Sequence, residues 1–326
     1  MGLIDDASAG ARSVVGSMKN RVVGATTALF SHGPRPLEHT LDHAPDPGLL
    51  GPDSVSWKVI GDAAAFVGGI RALIVQTAHP EVVAGVEQHS RYREDPLGRL
   101  TRTSFYVTET TYGAMPEVER AVEMVRRAHR PVHGRSERDL PYSAGQPELA
   151  AWVHNVLTES FLAAYQAYGP AALTPDEADR FVEEQTRVGA LLGADPMPTT
   201  AEALTAWVRD HPALERTDDL RHAMEFLRDP PLSIAVKLGY VPLFNAAVAT
   251  LPRRTLDITG LRPRWRSREI GSAATNSLRW ALGSSPSWHV SLIRADAPVP
   301  DGLFRQPLSP EAKALLASRR AAAGAA

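Results

Sequence analysis

The 326-residue sequence predicts an all-α fold, a single large helical domain with an arm at each end. Two observations carry that expectation. Apolar residues recur at helical spacing along most of the chain while strand-like alternation is scarce, and prolines and capping residues stand where those periodic stretches begin. No repeat of fixed period occurs, so a solenoid or propeller is not expected.

Taken in order, residues 3–30 read as a loosely attached amphipathic helix. Residues 31–54, SHGPRPLEHTLDHAPDPGLLGPDS, are rich in Pro, Gly, Asp and His and read as an arm laid over the surface. Positions 1–54 are therefore set apart from the domain at 55–283. Residues 57–78 are apolar on nearly all sides, which predicts a central buried helix; Gly61, Gly68 and Gly69 would let another backbone come close. Asp95-Pro96 supplies an N-cap followed by proline at the first helical position, opening a helix to about Gly113. Further helices are expected over 116–130, 147–168, 175–192, 200–210, 215–228, 231–250, 267–282 and 310–322. Thr174-Pro175-Asp176-Glu177 has the capping-box pattern. Residues 284–302 read as irregular, so 284–326 is an irregular segment plus a last helix with a fraying end.

With 44% apolar residues the chain can bury a sizeable core. A formal net charge of −2 with both signs mixed gives no general attraction for nucleic acid, and no such partner is expected. The absence of cysteine removes disulfides, thiolate metal sites, iron–sulfur clusters, cysteine nucleophiles and thioether haem attachment. Any metal must then sit on His, Asp, Glu, Tyr or backbone. MGLIDDASAGARS carries acids at positions 5 and 6 and no continuous apolar run, so it does not read as a secretory signal, and a cytoplasmic location is expected. The most apolar window, 233–251, is broken by Lys237, Pro242 and Asn245. It reads as a buried kinked helix, with no transmembrane segment expected and peripheral membrane contact left open.

Common nucleotide, zinc-protease, calcium and hydrolase motifs are missing. Histidines and arginines remain. His129 follows Val118, Val122 and Val125 at helical offsets, and His154 shares a face with Leu157, Phe161 and Tyr165, so both imidazoles are expected to point inward. A core histidine bonded to a carbonyl is the plainer account of either one alone. His79, before Pro80, reads as a helix-terminus residue. Arg99 and Thr103 stand at i and i+4, with Arg102 and Tyr106 a second such pair, so either an exposed arginine face or an anion-seeking buried one is open. Arg253, Arg254, Arg262, Arg264, Arg266 and Arg268, interleaved with Trp265, read as a solvated patch that could also meet a cofactor carboxylate or anionic lipid.

Read together, AHPEVVAGVEQHSRYREDPLGRLTRT (78–103), MVRRAHRPVHG (124–134), PYSAGQPELAAWVHNVLTESFLAAYQAYG (141–169) and LPRRTLDITGL (251–261) give a chain that resembles the MpaB and latex-clearing-protein family of rubber oxygenases over about 55–265. The resemblance implies a helical fold with a buried pocket for haem b, and a reaction between O2 and a small hydrophobic, isoprenoid or other alkene substrate. The R-x-x-x-T pattern implies Arg99 and Thr103 near the distal side as catalytic groups. Arg102 stands where latex-clearing enzymes carry a lysine. The family's proximal histidine matches His129, in a segment shared with Arg126 and Val132, which implies His129 as the iron ligand. His154 is its rival or a second cofactor contact, and Arg102 and Arg126 join the cofactor-binding set. The acidic base of the rubber-cleaving enzymes has no match. The competing expectation is a non-catalytic helical haem or lipid carrier.

Overall fold

Ser54 and Asp62 decide how the central apolar run of the chain begins. The structure is a computed structural model that describes residues 19, 24, 35–283, 285–299 and 309–324, so the helix expected over 3–30 lies almost wholly outside them. Ser54 Oγ accepts the Trp57 amide and opens α1 (Val55–Ile60), and Asp62 Oδ1 accepts the Ala64 amide at 2.8 Å and opens α2 (Ala64–Gln76). The single helix expected over 57–78 is therefore two. Gly61 ends the first where a Cβ would meet the Tyr112 hydroxyl at 2.7 Å, and an aspartate is better satisfied at a helix start than inside one.

Next come α3 (Pro80–His89), α4 (Pro96–Tyr112, capped by Asp95 Oδ1 on Gly98 N at 2.9 Å) and α5 (Met115–His129). A small hairpin of β1 (His133–Arg135) and β2 (Pro141–Ser143) follows, paired His133 to Ser143. Strands of three residues are too short to show alternation, so the sequence did not announce them. The chain continues with α6 (Pro147–Tyr168), α7 (Pro175–Ala190), α8 (Ala201–Asp210), α9 (Asp218–Arg228), α10 (Ile234–Val248), α11 (Arg253–Thr259), α12 (Ser267–Leu282), α13 (Pro286–Arg294) and α14 (Pro310–Gly324). The all-α expectation holds.

α2 and α6 form the centre and run antiparallel. Gln76 Nε2 donates to the Val153 carbonyl at 3.1 Å, Arg71 forms a buried bidentate pair with Glu159, and Gly68 faces Phe161 so closely that a Cβ would lie 2.6 Å from its ring. Trp152, Val67, Ile74, Tyr165 and Phe181 fill the core around this pair. α10 and α12 close one side, α7 and α8 another, and α4 with α5 forms a helical hairpin. α10 departs from the fully buried helix expected: Phe244 and Ala246 to Val248 are buried, whereas Ile234, Leu238 and Val241 are exposed. Among the described residues no helix is long and apolar enough to cross a membrane.

Residues 286–294 were expected to be irregular. They form α13, because Pro286 after Ser285 starts a helix whose Leu292 and Ile293 reach the core. α13 packs on the arm, which carries a 3-10 turn at Thr40–His43. Arg294, fully buried, donates to Thr40 Oγ1 at 2.6 Å, the Asp46 carbonyl at 2.7 Å and the Tyr112 carbonyl at 2.7 Å.

Candidate functional site

Although α2 lies at the centre, one stripe of it is left half-open. Phe66, Gly69, Ile70, Leu73 and Gln76 recur at helical spacing and are only partly buried, while a Cβ at Gly69 would meet nothing within 4 Å. On α6, Leu157 is likewise half-buried and Val153 is exposed. Water-accessible apolar groups along the two central helices are what the wall of a slot looks like. α4 packs against α1, where Trp57 Nε1 donates to the Thr111 carbonyl and the Tyr112 hydroxyl to the Trp57 carbonyl, both at 2.6 Å, and its Val107 packs against the main core.

The helical spacing of α4 puts Arg99, Thr103 and Tyr106 on a common face. Arg99 is half-buried; its Nη1 donates to Ser90 Oγ at 3.1 Å, its guanidinium lies 5.7 Å from the Tyr92 ring centre, and burial lowers its pKa. Thr103 is exposed and donates to the Arg99 carbonyl at 3.1 Å. Arg102 points to solvent, 3.4 Å from Asp95 Oδ2. The Tyr106 hydroxyl is buried and has no hydrogen-bond partner in the structure. Burial raises its pKa, opposed by the positive charge of Arg126 across the α4–α5 hairpin. Tyr106 was noticed in the sequence only as the partner of Arg102. Its place seven residues after Arg99 and three after Thr103 was the signal that assigned it to the site face.

α5 packs back on α4, with Arg120 Nη2 4.0 Å from Glu109 Oε1 across the hairpin, and His129 is its last residue. The expectation that His129 points into the core is corrected: Val118 and Val122 are buried, but the last turns of α5 run past the core and His129 is exposed. The surrounding protein nevertheless desolvates the ring and lowers its pKa. Arg126, one turn earlier, is exposed and donates through Nη2 to the Leu191 carbonyl at 2.6 Å.

His154 faces inward as expected, but towards α7. Its Nε2 is 2.7 Å from the Gln185 carbonyl, which makes that nitrogen the N–H donor, and its ring packs on Gly189 beside Met197. Burial lowers its pKa to about 4, and no water-sized space exists beside Thr158, Val182 and Gln185 where the ring lies. His79 is also buried, against Trp152 and His211, with Nδ1 3.3 Å from Glu81 Oε2. The structure thus brings Arg99, Thr103, Tyr106, Arg126 and the end of α5 to one hairpin, and leaves His154 on another interface. Among the described residues no group of three or more His, Asp or Glu is arranged to hold a metal ion, so any iron here needs a ligand set that a cofactor supplies in part.

A family model described as the catalytic domain of the ER-bound oxygenase mpaB/B′ and rubber oxygenases matches residues 57–282. The chain belongs to this family. Membership makes it an oxygenase-domain protein and an oxidoreductase by class. The match runs from the start of the apolar centre to the end of α12, and it takes in the half-open stripe, the α4–α5 hairpin and His154. No curated protein and no solved structure matches the chain.

Proposed function

We propose that this mpaB/rubber-oxygenase family member is a b-type haem-dependent oxygenase acting on a small hydrophobic substrate, an isoprenoid or other alkene, with O2 as co-substrate. The carrying observation is the buried Tyr106 hydroxyl without a partner, on the same helix face as Arg99 and Thr103. Leaving a buried hydroxyl unsatisfied costs about 1–3 kcal/mol, which a bound polar group at this face would relieve.

The residues present fit such a group. His129 offers an imidazole that is held mostly neutral by desolvation, the form that ligates metal. Arg126 and Arg102 supply cations for the cofactor's carboxylates. His154 is the weaker choice as ligand, since no water-sized space lies beside its ring between α6 and α7. Haem, when bound, supplies the iron that activates O2. Arg99 has guanidinium N–H groups beyond the one given to Ser90 Oγ and would donate them where negative charge develops, with Thr103 joining once its hydroxyl turns from the Arg99 carbonyl; donors aimed in this way are worth roughly 3–4 kcal/mol of barrier. The stripe of Phe66, Ile70 and Leu73 orients an apolar substrate and excludes water. Cleavage of a carbon–carbon double bond by one O2 gives two carbonyl groups and balances without an external reductant.

Absorption spectra of purified protein supplied with hemin, wild type beside His129→Ala and His154→Ala, test the reading. A Soret band in wild type that is lost in His129→Ala and kept in His154→Ala is expected. The reverse pattern transfers the ligand role to His154, and a colourless wild type removes the haem. Arg99→Ala is expected to keep the pigment and lose turnover of an alkene probe; a pigmented wild type without turnover is a carrier.

A further inference from the structure

α11 and the loop after it form a strongly cationic surface. An open cleft of about 710 Å³ is lined by Arg209, Arg216, Arg253 and Arg254, with Asp210 and Asp257 the carboxylates facing them. Arg216 is tied down by donating to the Asp257 and Ile258 carbonyls at 2.5 and 3.0 Å. Asp257 is shared between Arg253 at 3.7 Å and Arg262 at 3.5 Å, which connects the cleft to the loop. Beyond it, Arg264, Arg266 and Arg268 are exposed and, among the described residues, have no carboxylate within ion-pair distance. The whole chain carries −2, so this positive face is a local feature that opposes the sign of the remainder.

Trp265 stands in the middle and is 85% exposed. It precedes Arg266, the N-cap of α12, and Ile270 lies four residues into that helix, the arrangement of a hydrophobic staple. A staple would cover the indole. At this exposure it does not, and Ile270 is itself 49% exposed. Arg266 instead stacks on the Trp265 ring, 5.1 Å from its centre.

We propose that this face docks the protein on an anionic lipid bilayer, with lipid headgroup phosphates or carboxylates entering the arginine cleft and Trp265 and Ile270 sinking to the headgroup level. A free phosphate would engage the guanidiniums and leave the indole unused. A bilayer surface uses both, because tryptophan favours the membrane–water interface and each arginine adds attraction to an anionic leaflet. Since the rest of the molecule is net negative, docking is oriented with this face down.

Full-length protein is sedimented with phosphatidylcholine vesicles, with and without phosphatidylserine, across a salt series. Wild type is expected to pellet with the anionic vesicles alone and to be released by salt. R264E/R266E is expected to weaken partitioning about tenfold or more, and W265A several-fold, with thermal midpoints unchanged because these side chains are exposed. Binding equal on neutral and anionic vesicles, a wild type left in the supernatant, or a double variant that binds like wild type overturns the proposal. So does saturable binding of inorganic phosphate in calorimetry without vesicle binding, which would make the cleft a soluble-anion site. Should R264E/R266E fail to fold, W265A and the salt series on wild type decide by the same criteria.

Discussion

Burial of His154 between α6 and α7 holds its imidazole neutral, with a pKa lowered to about 4, well below the ordinary histidine value. The folded state therefore binds this proton less readily than the unfolded chain. The associated stability is complete above the unfolded value and is lost as pH falls through 6.5 towards about 4. His79, also lowered to about 4 by burial, acts in the same window and direction. Unfolding free energies measured by denaturant titration between pH 7 and 4 should fall with acid, and His154→Gln should flatten the slope; an unchanged slope would mean the ring protonates in place. Tyr106→Phe removes a buried hydroxyl that has no partner. Without cofactor it should leave the melting temperature unchanged or raise it, by an amount equivalent to about 1 kcal/mol. If Tyr106 serves the bound group, the same substitution lowers turnover; a drop in melting temperature would instead mean the hydroxyl is satisfied.

Two adjacent glycines on α2 separate close packing from open space. A Cβ at Gly68 would lie 2.6 Å from the Phe161 ring and 3.0 Å from its Cα, so Gly68→Ala forces α2 and α6 apart and should cost about 1–3 kcal/mol. At Gly69 nothing lies within 4 Å, and Gly69→Ala should be neutral or stabilising by about 0.5–1 kcal/mol from helix propensity alone. Paired thermal melts check the contrast, and equal effects would refute the packing of this helix pair. Gly69→Leu would project into the proposed slot and should lower hemin uptake without lowering the melting temperature. Deeper in the same interface, Arg71 and Glu159 are 1% and 5% exposed, with Arg71 also donating to Ser160 Oγ at 2.8 Å. Glu159→Ala leaves a buried guanidinium uncompensated and should destabilise by about 3–5 kcal/mol.

At the scale of the whole molecule, Arg294 joins both ends of the chain to the α4–α5 turn. Besides its three donor contacts, it lies 3.8 Å from Glu117, and Glu109, equally buried, accepts the Leu37 amide at 3.0 Å. Burial raises the Glu109 pKa, and nearby Arg294 and Arg120 pull it back. Arg294→Met should therefore loosen the arm and α13 together, at about 3–5 kcal/mol. Limited proteolysis checks this, with cleavage expected near residues 44–53 in the variant and not in wild type; an arm that stays protected would mean α13 holds it by apolar contact alone.

Helix starts were legible in the sequence because a cap is a local device. Asp95-Pro96, the Thr174 capping box and Pro147 needed no knowledge of the rest of the chain, and from them and the helical period came the all-α class. The family was legible too, since its motifs are strings of residues in order. Sidedness was not. His129 and His154 have much the same pattern of apolar neighbours, yet one emerges exposed past the core and the other donates to a carbonyl of α7. Likewise the 57–78 run is apolar enough for one buried helix, but Asp62 is claimed by Arg279 of α12, at 2.7 Å, and the helix restarts there. Periodicity states which residues share a face; only the packed chain states what that face meets, because the partner comes from another element, 31 positions away for His154 and 217 for Asp62.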